Sequence, residues 1–351
     1  MKKLYALTVV MLAITITSFS QTWDGGAGTS NWSDANNWNP NGVPAANADV
    51  TIPSGYNVVV STNTSCNSIT FSIVTGSLSG GSLTVNEGIV LTVSGGITKQ
   101  NATQTSSTTT LAGAGTINCA SLTVGGTTTG LNGDHTITLV STIAALNISG
   151  NLNLNGEDDG SDNQHCVFNL GAGTVTVDGS VVTDEESGSS VTLDLDTGAE
   201  TGTLVLTGAT PFNDLVGTPT LDLDGSSATV NYAGAAQSIR NTTYNNLTAS
   251  GTDTKTLSGD VTLLGNLLVE AGTSVLLGSS DITISANADR TATINGTLTI
   301  DGNGRLQESN GGTKTLAIGA GGLLRITDNG GTGLPLMNAY DFDANSTVEF
   351  G

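Results

Sequence analysis

Six stretches of this chain repeat one short phrase, Gly-polar-Leu/Val-x-Val/Leu/Ile, and no other feature restricts the fold as strongly. The phrase occurs as Gly81-Ser-Leu-Thr-Val85, Gly150-Asn-Leu-Asn-Leu154, Gly173-Thr-Val-Thr-Val177, Gly202-Thr-Leu-Val-Leu206, Gly265-Asn-Leu-Leu-Val269 and Gly296-Thr-Leu-Thr-Ile300. Ala120-Ser-Leu-Thr-Val124 is a near copy. In most copies apolar residues alternate with Thr, Asn or Ser, the period-two signature of a strand with one buried face. Neighbouring copies lie 23 and 29 residues apart (173 minus 150, 202 minus 173), about one coil of a stacked repeat of roughly 20 to 45 residues. The expectation is an all-β, right-handed parallel β-helix, in which Leu, Val and Ile of each coil rest on those of the next.

At 351 residues the chain is long enough for two or three globular domains. A solenoid grows in one dimension, so a single elongated body is expected. With 47 Gly and 11% charged residues, the composition suits short strands joined by Gly, Asn and Asp turns. The formal charge is -21, from 30 acidic and 9 basic residues. Such a field repels nucleic acid and anionic membranes. It also disfavours polyanionic glycans, unless a divalent cation bridges them.

Residues 1–20 read as a secretory signal: Lys2 and Lys3, an apolar run from Leu4 to Ile16, and Ser18-Phe-Ser20 before Gln21. The apolar run is short for a membrane span. An exported protein with its localisation outside the cell or on its surface is expected, of charge -23 once the two lysines leave (-21 minus 2). Export also permits disulfides. Cys66 and Cys119 stand at nearly the same place relative to a strand and could pair; the plainer reading makes them and Cys166 buried apolar groups.

Residues 21–57 hold all three Trp, at 23, 32 and 38. A solenoid must cover its first coil, and three large rings in a loop-rich segment suit a cap. Sugar stacking by the rings is the alternative. The repeats then occupy 58–351, with inserts at 155–166 and near 210–215 that would project as loops. Thr254-Lys-Thr-Leu257 returns as Thr313-Lys-Thr-Leu316, an offset of 59 (313 minus 254), and Thr229-Val-Asn-Tyr232 resembles Thr347-Val-Glu-Phe350 at 118 (347 minus 229). Those offsets suggest a superrepeat of three coils. The final residues look like the opening of another repeat, so a longer natural protein is expected.

The Trp-rich opening, from Trp23-Asp-Gly-Gly through Ala35-Asn-Asn-Trp38 to Val50-Thr-Ile-Pro53, resembles the N-terminal segment of large secreted β-helical surface proteins of Bacteroidota. The phrases Tyr232-Ala-Gly-Ala-Ala-Gln-Ser-Ile239 and Tyr244-Asn-Asn-Leu-Thr-Ala-Ser-Gly251 are similar to the repeat of that group. The resemblance implies an adhesin or autotransporter-like role and export by the type IX route. That route uses a C-terminal sorting domain, which this sequence does not contain.

β-Helices also include polysaccharide lyases and hydrolases. Asp194 and Asp196 share one side of a strand, as do Asp222 and Asp224. Stacked strands would gather four carboxylates, able in principle to raise a pKa, hold Ca²⁺ or flank a glycosidic bond. No basic residue lies between Lys99 and Arg240 to assist, and His135 and His165 are remote in sequence. A solvated acidic face is the plainer reading. Glu157, Asp158, Asp159, Asp162 and His165 could wrap a cation but lack the spacing of a calcium loop. Thr174 with Thr176, Thr291 with Thr293 and Thr297 with Thr299 hint at an ordered hydroxyl face of the ice-binding type. No residue is assigned a catalytic, cofactor-binding or metal role, and Ca²⁺ stays open. The sequence therefore points to a rod of about a dozen coils, near 60 Å at about 4.8 Å per stacked strand. Its expected work is structural or adhesive contact with glycans, cells or solid surfaces, with a polysaccharide-active enzyme as the alternative.

Overall fold

The computed structural model describes residues 19–72, 80–100, 106–126, 133–195, 201–212, 214–327 and 334–351. The signal segment, residues 1–18, lies outside them. Among the described residues there is no α-helix, and one 3-10 turn at Ala35–Asn37 interrupts an otherwise all-β chain. The strands stack in parallel into a β-solenoid of about 12 turns.

Burial follows the period of two read from the phrase. In Thr174–Val177, the threonines are half-buried and the valines fully so. Each turn bends through three faces, and one of these runs unbroken from Thr64–Cys66 to Ala339–Phe342. On it Ile148, Val177, Leu206, Tyr232 and Ala249 stack in register. The stacked side chains form one continuous apolar core, where removal of apolar surface from water supplies the main stabilisation. Close approach of the turn below explains why the phrase opens on glycine: a Cβ on Gly173 would sit 2.0 Å from the Ile143 carbonyl, and one on Gly296 2.2 Å from the Thr273 carbonyl.

The phrase identifies strands, not turns. Residues 173–177, 202–206 and 265–269 lie on the unbroken face, whereas 81–85, 150–154 and 296–300 lie on the two flanks. The 29-residue spacing is thus a true turn, and the 23-residue spacing crosses from one face to another.

The girth changes abruptly at one place. Ile148, Val177 and Leu206 stack at intervals of 29 residues (177 minus 148, 206 minus 177). Tyr232 and Ala249 stack at an interval of 17 (249 minus 232). A turn that much shorter cannot cover the perimeter beneath it. Both flanks accordingly stop at Asp214–Leu215 and Thr220–Asp222, then restart as separate sheets at Gln237–Ile239 and Thr243–Tyr244. Buried Gln237 bridges the gap, its amide donating to the carbonyls of Leu206 (2.9 Å) and Gly208 (2.6 Å).

The N-terminal end is closed by a tryptophan cluster. Trp23, Trp32 and Trp38 are at most 1% exposed and meet edge to face at 4.9 and 4.8 Å. Trp38 Nε1 donates to the Trp32 carbonyl at 2.8 Å. Ser20–Trp23 lies on Asp49–Pro53, and Asn31 bridges to Val59, so the segment roofs the first turn. Rings buried this completely cannot stack on a sugar, which removes that alternative. At the opposite end inward-facing Tyr340, Phe342 and Phe350 remain 45%, 39% and 65% exposed.

The three thiols are free and buried. Cys66 and Cys119 do share one stack, but Val93 separates them. Two strand spacings place them about 9.6 Å apart, beyond the roughly 7 Å reach of a disulfide. Burial pushes each thiol up to about 12. The folded protein should therefore release no thiolate to Ellman's reagent at pH 8, and three equivalents after denaturation. Rapid native labelling would contradict this packing.

The offset of 59 is not a superrepeat. Thr254–Leu257 lies on a flank and Lys314–Ile318 on the unbroken face, as do Thr347–Phe350 and Thr229–Tyr232 respectively. The shared phrase is instead a local corner device. Lys255 and Lys314 point inward with no exposed surface. Lys255 Nζ donates to the carbonyls of Gly234, Ala235 and Thr252, and Lys314 Nζ to those of Ala286, Gly311 and Gly312. Two residues before each lysine the backbone turns left-handed, at Asp253 (φ 59°) and Gly312 (φ 85°). That turn aims the carbonyls inward, where only a buried donor can satisfy them.

Candidate functional site

The acidic strands stack as their sequence suggests. Asp194 and Asp222 are register partners, with Asn169 beneath Asp194. Asp196 lies outside the described residues. Burial raises the Asp222 carboxyl above the ordinary carboxylate range, and the neighbouring Asp224 adds to the rise through a shared hydrogen bond and its charge. Asp222 thus holds a proton more readily than a free aspartate does. It ends a flank, at the girth step.

The acidic insert forms a hairpin extension, with Glu157 opposite Gln164 and Asp158 opposite Asn163 in antiparallel register. Its carboxylates serve the backbone. Asp158 accepts from Gly160 N (2.7 Å), and Asp159 accepts from the backbone of Ser161 and Asp162. The Asp158 amide in turn donates to Glu186 (2.8 Å), and His165 Nδ1 bonds Ser190 Oγ (2.8 Å). The contacts of the Asp158 and Asp159 carboxylates close turns in the Asx manner, whereas those to Glu186 and Ser190 join neighbouring coils. Among the described residues no three His, Cys, Asp or Glu side chains converge as a metal would need.

The most extended arrangement of polar groups is one that the sequence alone did not reveal. Along the unbroken face the outward row reads Ser65, Thr92, Asn118, Asn147, Thr176, Val205, Asn231, Thr248, Leu268, Thr293 and Ala317 before reaching Asp341. Eleven successive turns present no ionisable group there, on a chain of charge -21. A parallel row two residues away stacks Thr174, Thr203 and Thr229, then Thr291 over Thr315. Thr297 and Thr299, by contrast, sit on a flank. The expected hydroxyl pairs are therefore split between faces.

Two grooves indent the first turns of this face. One, of about 360 Å³, is lined by Asn63, Thr64, Ser65, Val90 and Thr92. The second, of about 300 Å³, is lined by Thr92, Ser94, Asn118, Asn147, Ser149 and Asp178, among others. Thr92 lines both, so the two grooves adjoin as a shallow, two-part channel along the rod axis. Its amides are ordered: Asn147 Nδ2 donates to Asn118 Oδ1 at 2.8 Å. Its one carboxylate, Asp178, accepts from Thr207 Oγ1. Fixed hydroxyls and amides repeating at the strand spacing can exchange hydrogen bonds with a hydroxyl-rich polymer at many points at once.

The phrase announces polar outward positions. What it does not announce is which copies stack, because the turns vary in length, and so the uncharged row stayed hidden. A separate cleft, lined by Phe212 and Arg240 at the girth step, was also missed. Neither Asp194 nor Asp222 lines it. No family model matches the chain, and no curated protein or solved structure is significantly similar to it.

Proposed function

We propose that the protein is a secreted, surface-displayed rod that adheres to neutral glycans through its unbroken face. The uncharged outward row of eleven turns carries this reading. On a chain this acidic, a long strip free of ionisable groups is suited to uncharged, hydroxyl-bearing partners and to close approach without ion desolvation. The resemblance of the Trp-rich opening to Bacteroidota surface proteins, and the signal-like residues 1–20, support display outside the cell. The role is non-catalytic: the channel binds and does not turn over.

The test is retention of the protein on insoluble neutral polysaccharides such as xylan, cellulose and chitin. Replacing both Asn118 and Asn147 with Ala should cut retention on the bound polymer at least tenfold without changing the circular dichroism spectrum. Equal retention of the variant would remove the channel from the proposal. Release of reducing ends that disappears in Asp222→Asn would replace adhesion by the enzyme reading.

A further inference from the structure

We infer that the cleft at the girth step is a second binding site, one that takes a single acidic sugar residue, with the carboxylate on Arg240 and the ring face on Phe212. The cleft follows from the change in turn length. Thr210, Pro211 and Phe212 belong to the wide turn below, and Ser238, Arg240 and Ser258 to the narrower turns above. The space between them is about 190 Å³. Sites for drug-sized ligands run from roughly 300 Å³ upward, so this one has room for one small residue.

Arg240 is held in place by its own backbone. Tyr232 and Tyr244 are fully buried, and their hydroxyls bond each other at 2.8 Å. The Arg240 N–H donates to Tyr232 Oη at 3.1 Å, and the Arg240 carbonyl accepts from Tyr244 Oη at 2.8 Å. Both bonds use main-chain atoms, so the guanidinium is left for other work. Among the described side chains none pairs with it; the ion pair seen there is Arg325 with Glu349, far along the rod. The preceding basic residue in the chain is Lys99, which is buried. Arg240 is therefore an isolated cation on an acidic body, presenting a planar fork that matches a carboxylate.

The remaining walls select the ligand further. Phe212 is half-buried, with its ring centroid 6.5 Å from that of Tyr232 and tilted by 58°. A half-exposed aromatic ring offers the apolar surface that the C–H face of a sugar covers. Ser238 adds an exposed hydroxyl to meet those of the sugar. At 0.15 M ionic strength the Debye length is about 8 Å, so the acidic remainder of the rod does not overrule a contact made directly on Arg240.

The experiment is a calorimetric or NMR titration of the whole chain with D-glucuronate, beside D-glucose as the neutral counterpart. Glucuronate should bind at least tenfold more tightly than glucose. Arg240→Gln should abolish that preference, Arg240→Lys should restore part of it, and Phe212→Ala should weaken both sugars. The tyrosine clamp uses no Arg240 side-chain atom, so Arg240→Gln should keep its fold, to be checked by circular dichroism. Equal binding of the two sugars, or an undiminished preference in Arg240→Gln, would overturn the inference. The Asn118→Ala/Asn147→Ala protein separates the two sites: it should lose polymer retention and keep the glucuronate preference.

Discussion

Replacing Lys314 with Met should destabilise the protein by about 3–5 kcal/mol, while the same replacement at Lys99 should stabilise it by about 3 kcal/mol at pH 7. Both lysines are fully buried. They differ in what their amines meet. Lys314 Nζ satisfies three carbonyls of a left-handed corner, and a methionine there would strand those acceptors out of water. Lys99 Nζ has no hydrogen-bond partner among the described residues. Burial alone drives its amine from an ordinary 10.5 down to about 8.

The pH dependence of the Lys99 effect has a definite sign. Below pH 8 the amine is protonated whether the chain is folded or not, and the full cost of burying the charge is present. Between pH 8 and 10.5 the folded state gives up the proton while the unfolded state keeps it, so stability rises with pH. The advantage of Lys99→Met should therefore fade across that window and level off above it. The thiols, and Tyr232 which is also pushed to about 12, act in the opposite sense in alkali. They are common to both proteins and cancel in the difference. Urea unfolding at pH 7, 9 and 10.5 reads the effect directly; a difference that stays constant with pH would refute the buried amine.

Trp38→Ala should cost about 3–5 kcal/mol and promote self-association through the first turn. Trp38 is the centre of the roof: it meets both other tryptophans and donates to the Trp32 carbonyl. Its loss would loosen the contact between residues 31–32 and the strand Asn57–Val60. That would bare the apolar edge of the first turn. An apolar edge bared in this way recruits the matching edge of a second chain. Light scattering should show mass growing with concentration in Trp38→Ala and much less in Trp38→Phe. A strictly monomeric alanine variant with an unchanged urea midpoint would show that the roof does neither job.

Much of this architecture was legible because period two is a local property. Thr174-Val-Thr-Val177 shows its buried face without reference to any neighbour, and the same holds for each copy of the phrase. Cys66 and Cys119 were correctly placed in equivalent positions, but the intervening Val93 depends on turn length, which no local pattern encodes. Lys255 and Lys314 misled for a related reason. Identical letters marked an identical corner, not an identical face, and only the pairing distinguishes them. The tryptophans could be read as a roof or as a platform, since ring type does not say which side meets water. The Arg240 cleft was least visible of all: it arises from a mismatch between two turns, and a mismatch leaves no motif.

The mismatch also governs how the rod responds to pulling. Inter-turn hydrogen bonds run along the long axis, so a load applied between the ends passes through every gap in series. Elsewhere three sheets share that load. Between the turns that carry Tyr232 and Ala249 one sheet spans the gap, helped by the Asn245 to Leu223 backbone bond, the Gln237 amide and the hydrogen bonds of Tyr232 Oη to Tyr244 and Arg240. Under tension the molecule should part there first, leaving two intact segments joined by extended chain.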